Sequence, residues 1–174
     1  MKTPTLLREV LPYIRKFSGK IIVLKFSGKN LEEENFENIM ADISVIHALG
    51  IRVVLVHGAG PQIEASLPQH SLKINGVRMT TSAEMEVIQS LLPNLTHSIS
   101  THLREWKLSP VIFPSKIFRV IQKDFGKDYP HHHTGEITKV SGPTLISALE
   151  DGLIPIFSPL VSDENGYFFN GKPE

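Results

Sequence analysis

The chain has 174 residues, 41% of them hydrophobic and 21% charged, with a formal net charge of zero and no cysteine. This is the composition of one folded domain with a substantial core. Charge neutrality argues against non-specific nucleic-acid binding, and without cysteine there is no disulfide framework, thiolate metal site or cysteine nucleophile. The first residues carry charges at Arg8, Glu9, Arg15 and Lys16 and lack a signal-peptide core. No later run is long enough to span a bilayer, so no membrane role and a cytoplasmic location are expected.

Residues 3–17 predict an amphipathic helix, with Thr5 as N-cap and Leu6, Leu7, Val10, Leu11, Ile14 and Phe17 at three and four spacing. Pro12 predicts a kink or break within it. The helix packs either on its own domain or, as an arm, on a partner subunit. Residues 20–25 predict a first buried strand, closed by Lys25 and a small-residue turn, Ser27-Gly28. Lysine is rarely buried alone. Its ammonium is therefore expected at the carboxyl end of the strand, where open parallel sheets place ligands. A helical stripe over 31–49 and a strand over 51–56 complete a parallel strand–helix–strand unit.

The chain is organised around that second strand. Ile51 to Val56 reads as a strand buried on both faces and runs into His57-Gly58-Ala59-Gly60, after which Pro61 opens a helix. Such a turn exposes backbone N–H groups that can hold a phosphate or carboxylate. Equally, it can need glycine only for its backbone geometry. Asn75-Gly76 marks a turn followed by Arg78, whose planar fork suits a carboxylate if it faces a site and is otherwise solvated. A stripe from Met85 to Leu103 predicts a helix capped at Thr81 or Ser82, with Pro93 predicting a kink or two helices.

Short apolar runs at 110–114 and 118–122 precede a polar loop over 123–134. That loop contains His131, His132 and His133. Three adjacent histidines do not make a metal site unless other ligands converge in space, and none is assigned. A strand at 137–140, a helix opening at Gly142-Pro143, a strand at 154–158 and a hairpin turned at Asn165-Gly166 finish the chain.

Three motifs together resemble the amino-acid kinase family: Lys25-x-Ser27-Gly28, the run from Val56 to Ile63, and the run from Asn75 to Thr80. The segments 152–159 and 163–166 and Asn170 are also similar. The branch resembled is N-acetylglutamate kinase together with the kinase-like domain of bacterial N-acetylglutamate synthase. The runs 46–52 and 129–135 favour the synthase. The resemblance implies a three-layer α/β/α fold with a mostly parallel central sheet. Residues 1–17 would be the helix or oligomerisation arm, and 18–174 the N-terminal, substrate-binding lobe.

By resemblance, Lys25 would stabilise the transferred phosphoryl group. Gly28 and the backbone of Gly58, Ala59 and Gly60 would hold the reacting carboxylate. Arg78 would pair with the α-carboxylate of N-acetylglutamate, and Asn170 would bind its acetyl group. Such roles suit phosphoryl transfer, which needs positioning and charge neutralisation.

Ser27 and Ala59 stand where the kinases usually have glycine, so the Ala59 methyl is expected to crowd a ligand. Glu174 falls near the place of an active-site aspartate. The ATP lobe and the acetyltransferase domain would lie beyond residue 174, so the chain is expected to be truncated. It would bind no cofactor by itself.

Three functions follow. The first is a regulatory, substrate-binding domain of a synthase in arginine biosynthesis, whose complete form uses acetyl-CoA and glutamate and responds to arginine. The second is a kinase using ATP and magnesium. The third is a non-catalytic oligomerisation module. A homo-oligomer is expected.

Overall fold

A computed structural model describes residues 3–31 and 36–171, with side chains from residue 8 onward. In chain order the elements are α1 (Thr3–Phe17), β1 (Ile21–Phe26), α2 (Phe36–Ala48), β2 (Arg52–His57), α3 (Gly60–Ser66), β3 (Lys73–Ile74), β4 (Val77–Arg78), α4 (Ser82–Glu105), β5 (Pro110–Ile112), β6 (Phe118–Gln122), β7 (Thr134–Val140), α5 (Gly142–Glu150), β8 (Ile154–Phe157), β9 (Leu160–Ser162) and β10 (Phe168–Gly171).

The central sheet is parallel, in the order β1-β2-β8-β5. Side chains alternate across it. Val53, Leu55, Ile154 and Ile156 face α2 and α4, where they bury against Met40, Ile43, Ile99 and Leu103. Val54 and Phe157 face the other way, onto Leu149 of α5 and onto Ile117. The result is the three-layer α/β/α arrangement, and β2 is buried on both faces as expected. A second sheet, β6-β7-β10-β9, joins the first through the connection from β8 to β9.

Two expectations fail on packing. β1 is not a fully buried strand. Among the described residues it pairs only with β2, and its outer face leaves Ile21 42% and Val23 63% exposed. The helix on that side, α5, packs over β8 and does not extend to the edge. Of the two outcomes expected at Pro93, division into two helices does not occur, since α4 runs unbroken over 24 residues. A proline inside a helix costs about 3 kcal/mol. Ile88, Leu92, Ile99 and Leu103 lie on both sides of Pro93 and are fully buried. At ~1.5–3 kcal/mol for each such side chain, their burial outweighs the lost bond. A capping box, in which Thr81 Oγ1 accepts from Glu84 N and Glu84 Oε2 accepts from Thr81 N, fixes where α4 starts. Pro12 likewise leaves α1 continuous.

Candidate functional site

The turn after β2 is positioned from beneath. His57 is fully buried, with Nε2 2.9 Å from Thr96 Oγ1. Thr96 donates its own proton to the Leu92 carbonyl, so it can only accept from the imidazole. Burial holds the His57 pKa below its ordinary value, against the opposing effect of the Gly58 carbonyl 3.3 Å from Nδ1. The turn is thus tied to the middle of α4. Gly58 N donates to Phe26 O at 2.8 Å, which joins it to the end of β1.

Ala59 is 3% exposed and clusters with Ile63, Met85, Ile88 and Leu92. Its φ of −146° is negative, so the backbone does not call for glycine through a left-handed conformation. Ala59 packs in this core cluster and also borders a cleft, while Gly60, whose added β-carbon would meet open space, presents backbone to the outside.

Arg78 arrives on a short hairpin. Asn75 at φ 50° and Gly76 at φ 76° form the two-residue turn between β3 and β4, a geometry that places Lys73 opposite Arg78. Two cations facing each other across a ladder repel. Glu64 of α3 relieves this, its carboxylate lying 2.7 Å from Arg78 Nη2 and 4.0 Å from Lys73 Nζ. Arg78 Nη1 also donates to Ser71 Oγ and lies 4.0 Å from Glu84. With its side chain only 10% exposed, Arg78 is a paired, largely buried cation and not a solvated one. The hydrogen bond from His70, and after it the Arg78 guanidinium, holds the Glu64 pKa down at about 2. Sequence reasoning missed Glu64. The available signal was that it is the only acidic residue between Asp42 and Glu84, in a stretch that holds His70, Lys73 and Arg78.

These elements enclose a cleft of about 170 Å³. Gly58, Ala59 and Gly60 form one wall, Val77 and Arg78 a second, Thr134 and Asn170 a third. Hydrogen bonds frame it: Thr134 Oγ1 donates to Arg78 O at 2.9 Å, and Asn170 Nδ2 donates to Thr80 Oγ1 at 3.0 Å. A larger cavity of about 640 Å³ adjoins the cleft, sharing Val77, Pro159 and Gly171 with it.

The cleft brings together Gly58, Ala59, Gly60, Arg78 and Asn170. Lys25 and Gly28 do not line it. Lys25 is exposed on β1, in register with Val56. Gly28 packs against the start of α3, where a β-carbon would come 2.5 Å from Gln62 Oε1 and 2.7 Å from Pro61 Cδ. Gln62 Nε2 donates to Gly28 O at 2.7 Å and closes that contact. Glu174 lies outside the described residues.

Two histidines of the triplet make contacts within the fold. His132 is buried against Phe125, accepts from Thr134 N, and has its pKa lowered by burial. His133 reaches the Phe168 carbonyl and the Ser82 hydroxyl.

Known proteins resemble this chain in sequence and in fold. The model of the amino acid kinase family matches residues 20–172. Acetylglutamate kinase of Desulfitobacterium hafniense is 32% identical over 93% of this chain and 60% of its own length. Amino-acid acetyltransferase of Shigella flexneri is 33% identical over 94% of this chain and 39% of its own. The fold superposes on N-acetylglutamate synthase from Neisseria gonorrhoeae, solved with coenzyme A and N-acetyl-glutamate, with a TM-score of 0.87 at 24% identity, covering 98% of this chain and 40% of that one. The chain thus spans between about two fifths and three fifths of these relatives. Among the described residues no helix is long and apolar enough to cross a membrane.

Proposed function

This chain belongs to the amino acid kinase family, and on that premise we propose that it is the kinase-like, ligand-binding domain of an N-acetylglutamate synthase rather than a phosphorylating enzyme. The cleft would hold N-acetylglutamate, with Arg78 on its α-carboxylate, Asn170 at the acetyl group and the Gly58–Gly60 backbone at the side-chain carboxylate.

The observation that carries this reading is the position of Lys25. Phosphoryl transfer needs cations at the reacting oxygens. Among the described residues that line the cleft, Arg78 is the only cation, and Lys25 stands outside, exposed on the edge strand. The same set does not compose a nucleotide and magnesium site, so no step through ATP is derived. The acetyl-CoA and glutamate chemistry of a complete synthase, and its response to arginine, would belong to a longer protein working in arginine biosynthesis in the cytoplasm.

The test offers the protein N-acetylglutamate with and without ATP and magnesium. Saturable binding with no release of ADP supports the proposal. Turnover that Lys25→Ala abolishes would replace it with the kinase reading, which the similarity to acetylglutamate kinase keeps in view.

A specific feature also supports an assembly role. Leu11, Tyr13 and Phe17 of α1 are exposed at 45%, 65% and 37%. An amphipathic helix that leaves such side chains uncovered suits an arm on a second copy.

A further inference from the structure

At the far end of α4, three side chains with metal-ligand chemistry converge. The ligand atoms of Glu37, at the start of α2, and of His102 and Glu105, in the last turn of α4, all lie within 4.8 Å of one another. Spacing i, i+3 puts His102 and Glu105 on one helix face. Among the described residues this is the one group of three such side chains.

The imidazole is oriented for ligation. His102 Nδ1 lies 2.8 Å from the Ser98 carbonyl oxygen, and toward a carbonyl it can only donate. In the neutral ring Nε2 then carries the lone pair, directed toward Glu37 Oε1 at 3.6 Å. A doubly protonated ring bonded to that carboxylate would approach to about 2.7–2.9 Å. Two ligands held ~2.1 Å from a tetrahedral ion are instead about 3.4 Å apart. The 3.6 Å separation is longer than a hydrogen-bonded contact, and all three ligand atoms lie within 4.8 Å, which leaves room for an ion between them.

Supporting contacts follow the same logic. A histidine ligand whose other nitrogen donates to a backbone carbonyl is the usual outer shell of a metal centre. Phe36 meets the His102 ring edge-on at 5.3 Å, and Trp106 Nε1 donates to Glu37 Oε2 at 3.4 Å. Two carboxylates and one neutral imidazole carry a charge of about −2, which a dication balances. The negative end of the α4 dipole adds to that preference. Imidazole with carboxylates suits zinc and its neighbours better than magnesium or calcium.

We propose that Glu37, His102 and Glu105 bind one divalent transition cation, with water completing its coordination, and that the ion ties the first turn of α2 to the last turn of α4. The site is independent of the cleft. Glu84, beside Arg78, and His102 are separated by roughly 27 Å of helix at the standard rise.

The test is calorimetric titration of tag-free protein with zinc chloride and, separately, magnesium chloride, on wild type, His102→Ala and Glu105→Gln. The His102 side chain is 33% exposed and Glu105 is exposed, so these positions tolerate substitution, and far-UV circular dichroism checks each fold. The expected result is one zinc per chain, weakened about tenfold or more in each variant. Zinc should raise the melting temperature of wild type only, and N-acetylglutamate binding should be the same in all three. Absent zinc binding, equal zinc binding by the variants, or magnesium bound as tightly as zinc would each overturn the proposal.

Discussion

Glu64 Oε2 lies 2.7 Å from Nη2 of Arg78, so the only cation lining the cleft among the described residues is already paired within the chain. A carboxylate ligand must share that guanidinium or displace Glu64 from it. Glu64→Gln keeps the shape and removes the charge. The expected outcome is roughly tenfold tighter binding of N-acetylglutamate, since a free guanidinium forms the stronger bidentate pair. Weaker binding in this variant would mean that Glu64 orients Arg78 for the ligand.

The same pair has a pH signature. In the fold the Glu64 pKa is lowered to about 2 from an ordinary value near 4.5. A depressed carboxyl contributes stability that is complete above its unfolded value and is lost as pH falls through the folded value. The difference in stability between wild type and Glu64→Gln should therefore be constant above about pH 5 and shrink between about 4.5 and 2. Denaturant unfolding at stepped pH checks this.

His57 acts in the same direction as Glu64 but in milder acid. Its pKa is lowered by burial, so the unfolded chain takes up a proton first as pH falls below about 6.5. Stability should decline from pH 7 to pH 5, with His132, lowered for the same reason, contributing alongside. A double variant, His57→Gln with His132→Gln, should be less stable at pH 7 but should lose most of that slope. An unchanged slope would place the titration elsewhere.

The turn separates packing from binding. Gly28→Ala puts a methyl against Gln62 and Pro61 and should cost about 1–3 kcal/mol in chemical denaturation. Ala59→Gly removes a methyl from the core and adds backbone freedom, for about 1 kcal/mol or more. Ligand affinity in Ala59→Gly should change little, because Ala59 is buried in that core cluster. A gain in affinity would restore the crowding that the sequence suggested.

Much of this was legible beforehand, for identifiable reasons. The valine run of β2 reads as a strand covered on both faces, and Asn75-Gly76 reads as a tight turn, since each rests on local chemistry. The cleft walls at Gly58–Gly60, Arg78 and Asn170 followed from motif resemblance. What was not legible depends on direction and on distant partners. Side-chain identity does not say that the Ala59 methyl points inward or that Arg78 finds Glu64. It does not say that β1, as apolar as β2, stands at an edge. Pro93 marked a break only on local grounds, and packing on both sides of it overrode that preference.

Deleting residues 1–17 separates the two placements of α1. An arm predicts loss of the oligomer in light scattering with ligand binding intact. A helix serving its own domain predicts an unchanged assembly and a lower melting temperature.

The most direct measurement is calorimetric titration with N-acetylglutamate, with glutamate and arginine as controls, on wild type and Arg78→Ala. The account predicts saturable N-acetylglutamate binding by wild type and none by a folded Arg78→Ala. Equal binding by both proteins, or none by wild type, would contradict a ligand site built on Arg78.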